Sequence, residues 1–165
     1  MKMIDLLILE FEHEAQTTRK HFERLPDDKL DWRPHKKSFT AGALASHITD
    51  LARWADAIFN REEFDFDPAT YKPYQATSVA NLLRTFDDNV RNAKQALAAV
   101  ADESMMQPWR FKILGRLRFE RPKALAFRDF TLSHLIHHRG QFSVYLRLLN
   151  IPVPGSYGPS ADEQT

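Results

Sequence analysis

Four segments of this chain repeat apolar residues every three or four positions, and this helical period most strongly constrains the fold. The first segment covers 4–25 and stops at Pro26, which cannot continue a helix. The second begins after Thr40, a suitable N-cap residue, the third begins at about Ser78, and the fourth covers 125–149. Because no segment shows the sustained alternation of a strand, the sequence predicts an all-α fold.

The length and composition suit one domain with a large core. The 165 residues include twelve phenylalanines and are 43% hydrophobic. Loops over 25–39 and 60–77 are long for a bundle, so they are expected to cross it or to build a functional rim. We therefore predict a single domain over 1–165, an up-and-down four-helix bundle with long inter-helix loops, and a loose tail over 156–165. Alternation around Gly115 permits a short hairpin over 107–123.

Charge and composition exclude several classes of function. The formal net charge is only +1, which argues against nucleic acid and anionic membranes as partners. The chain contains no cysteine, so disulfides and thiolate metal ligands are excluded. No apolar run approaches the roughly 20 residues of a membrane span, and the N-terminus lacks the pattern of a signal peptide. We expect a cytoplasmic protein whose partners are small molecules or other proteins.

Three histidines lie on the apolar faces of the predicted helices. His134 and His138 are four residues apart, which places their Cβ atoms roughly 5–6 Å from each other on one face. His47 lies on the apolar stripe of the second helix. Three imidazoles with an open fourth position are typical of catalytic zinc sites, and these residues are the predicted ligands of one divalent metal ion. A hydrogen-bonded core histidine is the alternative reading of His47.

Several polar residues close to the three histidines in the predicted helices allow more than one interpretation. Gln141 and Tyr145 share the face of the helix-four histidines, where they either line a pocket or cap the core. Asp50 follows His47 by three residues and either orients a ring or is simply solvated. His137 lies at the margin of the stripe, where it either supports a metal ligand from behind or lies in an interface or at the surface, and we favour the last two. The other histidines are expected to be exposed: His13, His21 and His35.

The runs LDWRPHKKSFTAGALASHITDLARW and SHLIHHRGQFSVYLRLLNIPVPGSYGPSADE resemble the DinB family of damage-inducible-type bacterial proteins. The resemblance covers nearly the whole chain, and its most specific part is the H-x-x-H-H-R-G-Q run with an upstream histidine. It implies a four-helix bundle, commonly a dimer, with a metal site open to solvent. By position it implies the ligands His47, His134 and His138.

The resemblance leaves the reaction open. Relatives in the wider superfamily use their metal to activate a small thiol, which suggests a thiol S-transferase or a metal-dependent hydrolase acting on a small molecule. The alternative is a non-catalytic metal-binding module of a stress response. Zinc and nickel are the first expectations for the ion, with iron possible, because imidazole suits all three. DNA binding is suggested only by the family's name and by the basic run over 110–123, and the low net charge opposes it.

Overall fold

The computed structural model describes residues 2–163, which form a helical bundle with a small sheet at one side. The helices are α1 (Met3–Phe22), α2 (Ala41–Leu51), α3 (Trp54–Phe59), α4 (Val79–Ala98), α5 (Lys123–Phe127) and α6 (His134–Leu148). The strands are β1 (Glu63–Phe66), β2 (Pro108–Ile113) and β3 (Arg116–Pro122). Short 3-10 turns lie at Asp27–Lys29 and Asp102–Met106.

Two helix starts lie where the sequence places them. The Thr40 hydroxyl accepts a hydrogen bond from the backbone N–H of Ala43 at 3.1 Å, and Ser78 accepts one from Asn81 at 3.0 Å. Each bond satisfies one of the amide groups that a helix leaves free at its N-terminus. The prediction of an N-cap at Thr40 is confirmed, and so is the prediction that the third helix begins at about Ser78.

The four long helices do not follow a simple up-and-down order. Both α1 and α2 pack against α4 and α6, so the consecutive helices α1 and α2 lie at opposite corners of the bundle. The chain between them crosses from one corner to the other, which explains why that loop is long. The core around α2 and α6 is formed mainly by large apolar side chains: Phe22, Leu44, Ile48, Leu51, Leu82, Phe86, Leu135, Phe142 and Leu146.

The prediction of an all-α fold is wrong, because the chain also forms a three-stranded mixed sheet in the order β1–β2–β3. Strands β2 and β3 are antiparallel and form the hairpin that the alternation around Gly115 permitted. Strand β1 pairs with β2 in parallel. It is only four residues long and was not predicted, because so short an alternation is hard to distinguish from a loop.

Aromatic packing attaches the sheet to the helices. Phe64, Phe111 and Phe119 are neighbours across the three strands and form a row on one face. Phe130 packs on the Phe111 and Phe119 rings, with centroids 5.2 and 5.5 Å away. Trp54 packs on Phe64 at 5.1 Å. The helices therefore cover one face of the sheet, and the other face is in contact with solvent. A sheet covered on one side only has strands in which apolar and polar residues alternate, as they do here.

Two of the predicted helices are interrupted. The second is divided into α2 and α3 at residues 52–53, and the hydroxyl of Thr131 donates a 3.1 Å hydrogen bond to the carbonyl of Leu51. The fourth contains a π-helical segment, Arg128–Ser133, immediately before His134. A π turn changes the angular position of every later residue on the helix, so it helps to set which way His134 and the residues after it face.

The C-terminal segment makes defined contacts as far as the structure describes it. Asp162 pairs with Arg147 at 2.6 Å, and Glu163 accepts a hydrogen bond from the backbone of Gly155 at 2.8 Å. Gln164 and Thr165, the last residues of the predicted loose tail, lie outside the described residues. Among the helices of residues 2–163, none combines the length and apolar character required to span a membrane.

Candidate metal centre

The packing of α2 against α6 brings the three predicted histidines together. His47 lies in the middle of α2, His134 is the first residue of α6, and His138 follows one turn later. All three side chains are half-buried, and the ring centroids lie 4.7 to 5.1 Å apart. Half-burial leaves the group shielded by the bundle while one side remains accessible to a ligand.

One pair of ring nitrogens is spaced as two ligands of one ion require, and the third ring lies close to both. Nε2 of His47 lies 3.3 Å from Nε2 of His134, and one nitrogen from each of the three rings lies within 4.8 Å of the others. Two nitrogens at the Zn–N distance of about 2.0–2.1 Å and the tetrahedral angle are separated by about 3.3–3.4 Å. The three-histidine group could therefore hold a metal ion, and the first nitrogen pair already has the spacing that tetrahedral zinc requires.

A glutamine orients one of the histidines. Oε1 of Gln141 lies 2.8 Å from Nδ1 of His138, and Nε2 of Gln141 lies 3.1 Å from Nε2 of His137. An amide oxygen only accepts, so the proton of His138 is on Nδ1 and its Nε2 lone pair is free. Gln141 thus selects the tautomer in which His138 can bind an ion through Nε2, and His137 supports Gln141 from the surface.

Electrostatics keep the three rings neutral at pH 7. Burial, followed by repulsion from His138 and His47, lowers the pKa of His134 from 6.5 to about 4. Burial also lowers the pKa of His47 and of His138, although the hydrogen bond to Gln141 partly opposes the shift at His138. Neutral imidazoles have lone pairs to donate, so this environment favours a ligand role over a charged one.

A cleft of about 420 Å³ opens beside His138. Phe39 and Val144 supply apolar walls, and Lys37 supplies a positive charge. The hydroxyl of Tyr145 donates a 3.2 Å hydrogen bond to the backbone carbonyl of Phe39, which joins the long loop to α6. Tyr145 therefore lines the cleft and holds one of its walls in place.

Asp50 has other partners than the histidine rings. Its carboxylate accepts hydrogen bonds from the backbone N–H of Tyr74 at 2.8 Å and from Arg53 at 3.1 Å. Tyr71 donates a longer bond at 3.4 Å. Among the described residues no hydrogen bond joins Asp50 to His47, so Asp50 anchors the loop after β1 and does not orient a ring.

A buried ionic network directly follows the last histidine and was not predicted. Arg139 donates to the Glu14 carboxylate at 2.6 Å and to the Tyr157 hydroxyl at 2.8 Å. Arg139 is four residues after the core residue Leu135 and three before Phe142, so it lies within the buried stripe of α6. An arginine within the apolar stripe of a helix indicates a buried acidic partner, so the sequence could have predicted this pair.

One histidine prediction is wrong. His13 and His35 are exposed as expected, whereas His21 is fully buried. Its Nδ1 donates to the carbonyl of Thr17 at 2.9 Å, and burial lowers its pKa. His21 precedes Phe22 at the end of α1. Phe22 belongs to a core cluster with Leu25, and Ile151 and Val153 pack against that cluster, which the helical period of α1 alone does not indicate.

Known proteins share both the sequence pattern and the fold. An uncharacterized protein of Bacillus subtilis strain 168, YrdA, is 27% identical over 97% of this chain and 91% of its own length. A crystal structure of a DinB-like protein from Bacillus cereus ATCC 10987 matches 88% of this chain and 92% of its own, with a TM-score of 0.70 and 21% identity.

A second solved structure agrees with the first. The DinB-like protein YjoA of Bacillus subtilis covers 93% of this chain and 99% of its own, with a TM-score of 0.68 and 17% identity. At these identities the two structures establish the fold alone. The sequence profile described as the DinB superfamily matches residues 10–142, which is most of the chain. The chain therefore belongs to the DinB superfamily.

Proposed function

We propose that His47, His134 and His138 bind one divalent metal ion and that the protein uses it to act on a small molecule, as a hydrolase or a thiol S-transferase. The separation of 3.3 Å between the Nε2 atoms of His47 and His134 carries this proposal. Neutral imidazole nitrogens at this distance are suitable ligands for zinc, nickel and iron, and we favour zinc or nickel.

Such an ion, when bound, lowers the pKa of a coordinated water or thiol so that a nucleophile exists near neutral pH. The protein's own residues provide the rest. Gln141 holds the His138 ring with its Nε2 lone pair free, and Phe39 and Val144 offer apolar contacts to a substrate in the cleft. Lys37 favours a substrate with a negatively charged group.

A non-catalytic metal-binding module is the second candidate. The observation in its favour is the composition of the cleft, since no carboxylate is among the residues described as lining it. Enzymes that activate water commonly use a carboxylate or a free histidine as a general base. Under this alternative the ion stabilises the bundle or reports on metal supply, and no substrate is turned over.

Metal content tests the site. Protein purified without an affinity tag is analysed for metals, and the His134→Ala variant is compared with His13→Ala, a matched change at an exposed histidine. We expect about one equivalent of ion in the wild type and in His13→Ala, and loss of the ion in His134→Ala. Less than about a tenth of an equivalent in the wild type, without uptake of added zinc or nickel, would refute the site.

Turnover separates the two candidates. Metal-loaded protein is assayed with low-molecular-weight thiols plus electrophiles, and with activated esters. Rates well above those of free metal ion, and lost in His134→Ala, support the enzyme. Rates equal to free ion across both panels, with full metal occupancy, support the non-catalytic module.

A homodimer is part of this proposal. Three apolar side chains on the outer face of α1 are 40–59% exposed: Met3, Leu6 and Leu9. A contiguous exposed apolar strip is often a protein interface. Sedimentation equilibrium tests this, and a monomer at micromolar concentration would count against it.

A further inference from the structure

A second cavity, of about 690 Å³, lies between α3, α4 and β1. Its volume is within the about 300–1,000 Å³ typical of small-molecule sites. No histidine is among the described residues that line it, and it shares no lining residue with the cleft beside His138. The cavity is therefore separate from the candidate metal centre.

One wall of this cavity is aromatic. Trp54 and Phe64 line it with ring centroids 5.1 Å apart, and Phe66 and Tyr71 continue the wall with centroids 5.1 Å apart. Four aromatic residues along one wall offer ring faces and edges to a planar ligand. Stacking on such side chains is how proteins commonly hold nucleobases and other flat heterocycles.

A second wall, formed by α4, carries a row of amides. Asn89, Asn92 and Gln95 are spaced by three residues on α4 and all line the cavity. Nδ2 of Asn89 donates a 3.0 Å hydrogen bond to the carbonyl of Thr49, which fixes that side chain and leaves its Oδ1 as an acceptor. Within residues 2–163 the amides of Asn92 and Gln95 have no hydrogen-bond partner. The row therefore offers both donors and acceptors to a ligand.

The charges around the cavity are already paired. Asp50 contacts Arg53 at 3.1 Å, and Asp56 contacts Arg61 at 3.6 Å. Two acids and two bases leave no formal net charge, so an anionic or a cationic ligand would have to displace an existing partner. A neutral ligand gains the amide contacts without that cost.

We propose that this cavity is a binding site for a neutral, planar, bicyclic heteroaromatic ring of the purine type. The ring stacks against the wall formed by Trp54, Phe64, Phe66 and Tyr71. Its polar edge faces Asn89, Asn92 and Gln95, which exchange hydrogen bonds with ring nitrogens and exocyclic groups. This assignment is independent of the metal centre.

Calorimetric titration of the full protein tests the site with adenine and hypoxanthine as probes. Quinoline, which is also a planar bicyclic ring but has only one hydrogen-bonding atom, and AMP, which adds negative charge, are the comparison ligands. We expect saturable binding of at least one purine with a Kd below about 1 mM, and weaker binding of both comparison ligands.

Two neighbouring residues on α4 provide matched variants. Asn92 and Arg91 are both exposed, and only Asn92 lines the cavity. Asn92→Trp fills the cavity and is expected to weaken purine binding at least tenfold, whereas Arg91→Trp leaves it unchanged. Asn92→Leu, which keeps the size of the side chain and removes its amide, is expected to weaken binding about three- to tenfold. His134→Ala should bind purine as the wild type does.

Three results would overturn the proposal. The first is no saturable binding of either purine up to about 1 mM. The second is quinoline or AMP binding as tightly as the purines. Tight binding of quinoline would show that the amides do not recognise the ligand, and tight binding of AMP would show that the ligand need not be neutral. The third is equal purine binding by Asn92→Trp, Asn92→Leu and the wild type, which would place the purine elsewhere.

Discussion

Arg139 of α6 and Glu14 of α1 form a salt bridge of 2.6 Å with both side chains buried. The guanidinium also donates to the Tyr157 hydroxyl, so the pair joins two helices and the C-terminal segment. Arg139 directly follows His138 in the chain. The same residue pair that stabilises the bundle therefore also fixes the rotation of α6 that turns His138 toward α2.

Removal of one partner of this pair is expected to be strongly destabilising. Glu14→Ala leaves the charge of Arg139 buried and unpaired, which costs about 3–5 kcal/mol of unfolding free energy. The measurement is urea denaturation. Asp162→Ala, which breaks the exposed pair with Arg147, is the control and should cost less than about 1 kcal/mol. Equal losses in the two variants would contradict a structural role for the buried pair.

Gln141 is expected to control metal affinity without being a ligand. Gln141→Leu removes the acceptor that holds His138 in the required tautomer, and the affinity for zinc should fall about 10- to 100-fold. Competition with a chromogenic chelator measures the change. Gln95→Leu, a similar exposed change on α4, should leave zinc affinity unaltered. Wild-type affinity in Gln141→Leu would show that the ring needs no such support.

The metal-free protein should lose stability as the pH falls from 7 to 5. The pKa of His134 is about 4 in the folded state and 6.5 when unfolded, so the unfolded state binds more protons across this window. The pKa values of His21, His47 and His138 are also lowered, so they act in the same direction.

Urea midpoints of chelator-treated protein at pH 7, 6 and 5 test this pH dependence. The midpoint should fall at each step, and it should fall less in His134→Gln, which has no titrating group at that position. Excess zinc should raise the midpoint most at pH 7, because protons compete with the ion for the same nitrogens. A flat or rising midpoint between pH 7 and 5 would refute the effect.

The hydroxyl of Thr131 is expected to stabilise the break between α2 and α3. Thr131→Val preserves the shape of the side chain but leaves the buried carbonyl of Leu51 without its donor, at a cost of about 1–3 kcal/mol. Thr70→Val, at an exposed loop position, should be nearly neutral by the same thermal or urea assay. A neutral Thr131→Val would mean that water or another donor replaces the hydroxyl.

The sequence was informative about the histidines because each one interrupts an apolar stripe. The positions of His47, His134 and His138 follow from the helical period alone, and the packing of α2 on α6 brings them together. The sheet was harder to predict, since β1 has four residues and its partner β2 lies beyond α4. No local pattern reports a parallel pairing of that kind.

The buried polar residues were missed for a different reason. Arg139 and Glu14 each lie beside apolar positions on their helices, and only the packed structure shows that they meet. His21 was expected at the surface because nothing in α1 indicates that residues more than a hundred positions later, Ile151 and Val153, pack against the core cluster that contains its neighbour Phe22. The spacing of apolar residues indicates which face of a helix is buried, but the width of that buried face depends on the tertiary packing.

The parallel pairing of β1 with β2 also has a consequence for folding. Glu63 and Arg110 are partners in the ladder although the whole of α4 separates them in the chain. Closing so long a loop costs entropy before any strand contact compensates for it. The helices and the β2–β3 hairpin can form early from local contacts, whereas the β1–β2 pairing, with the cavity wall that β1 provides, is expected to form in a late step of folding.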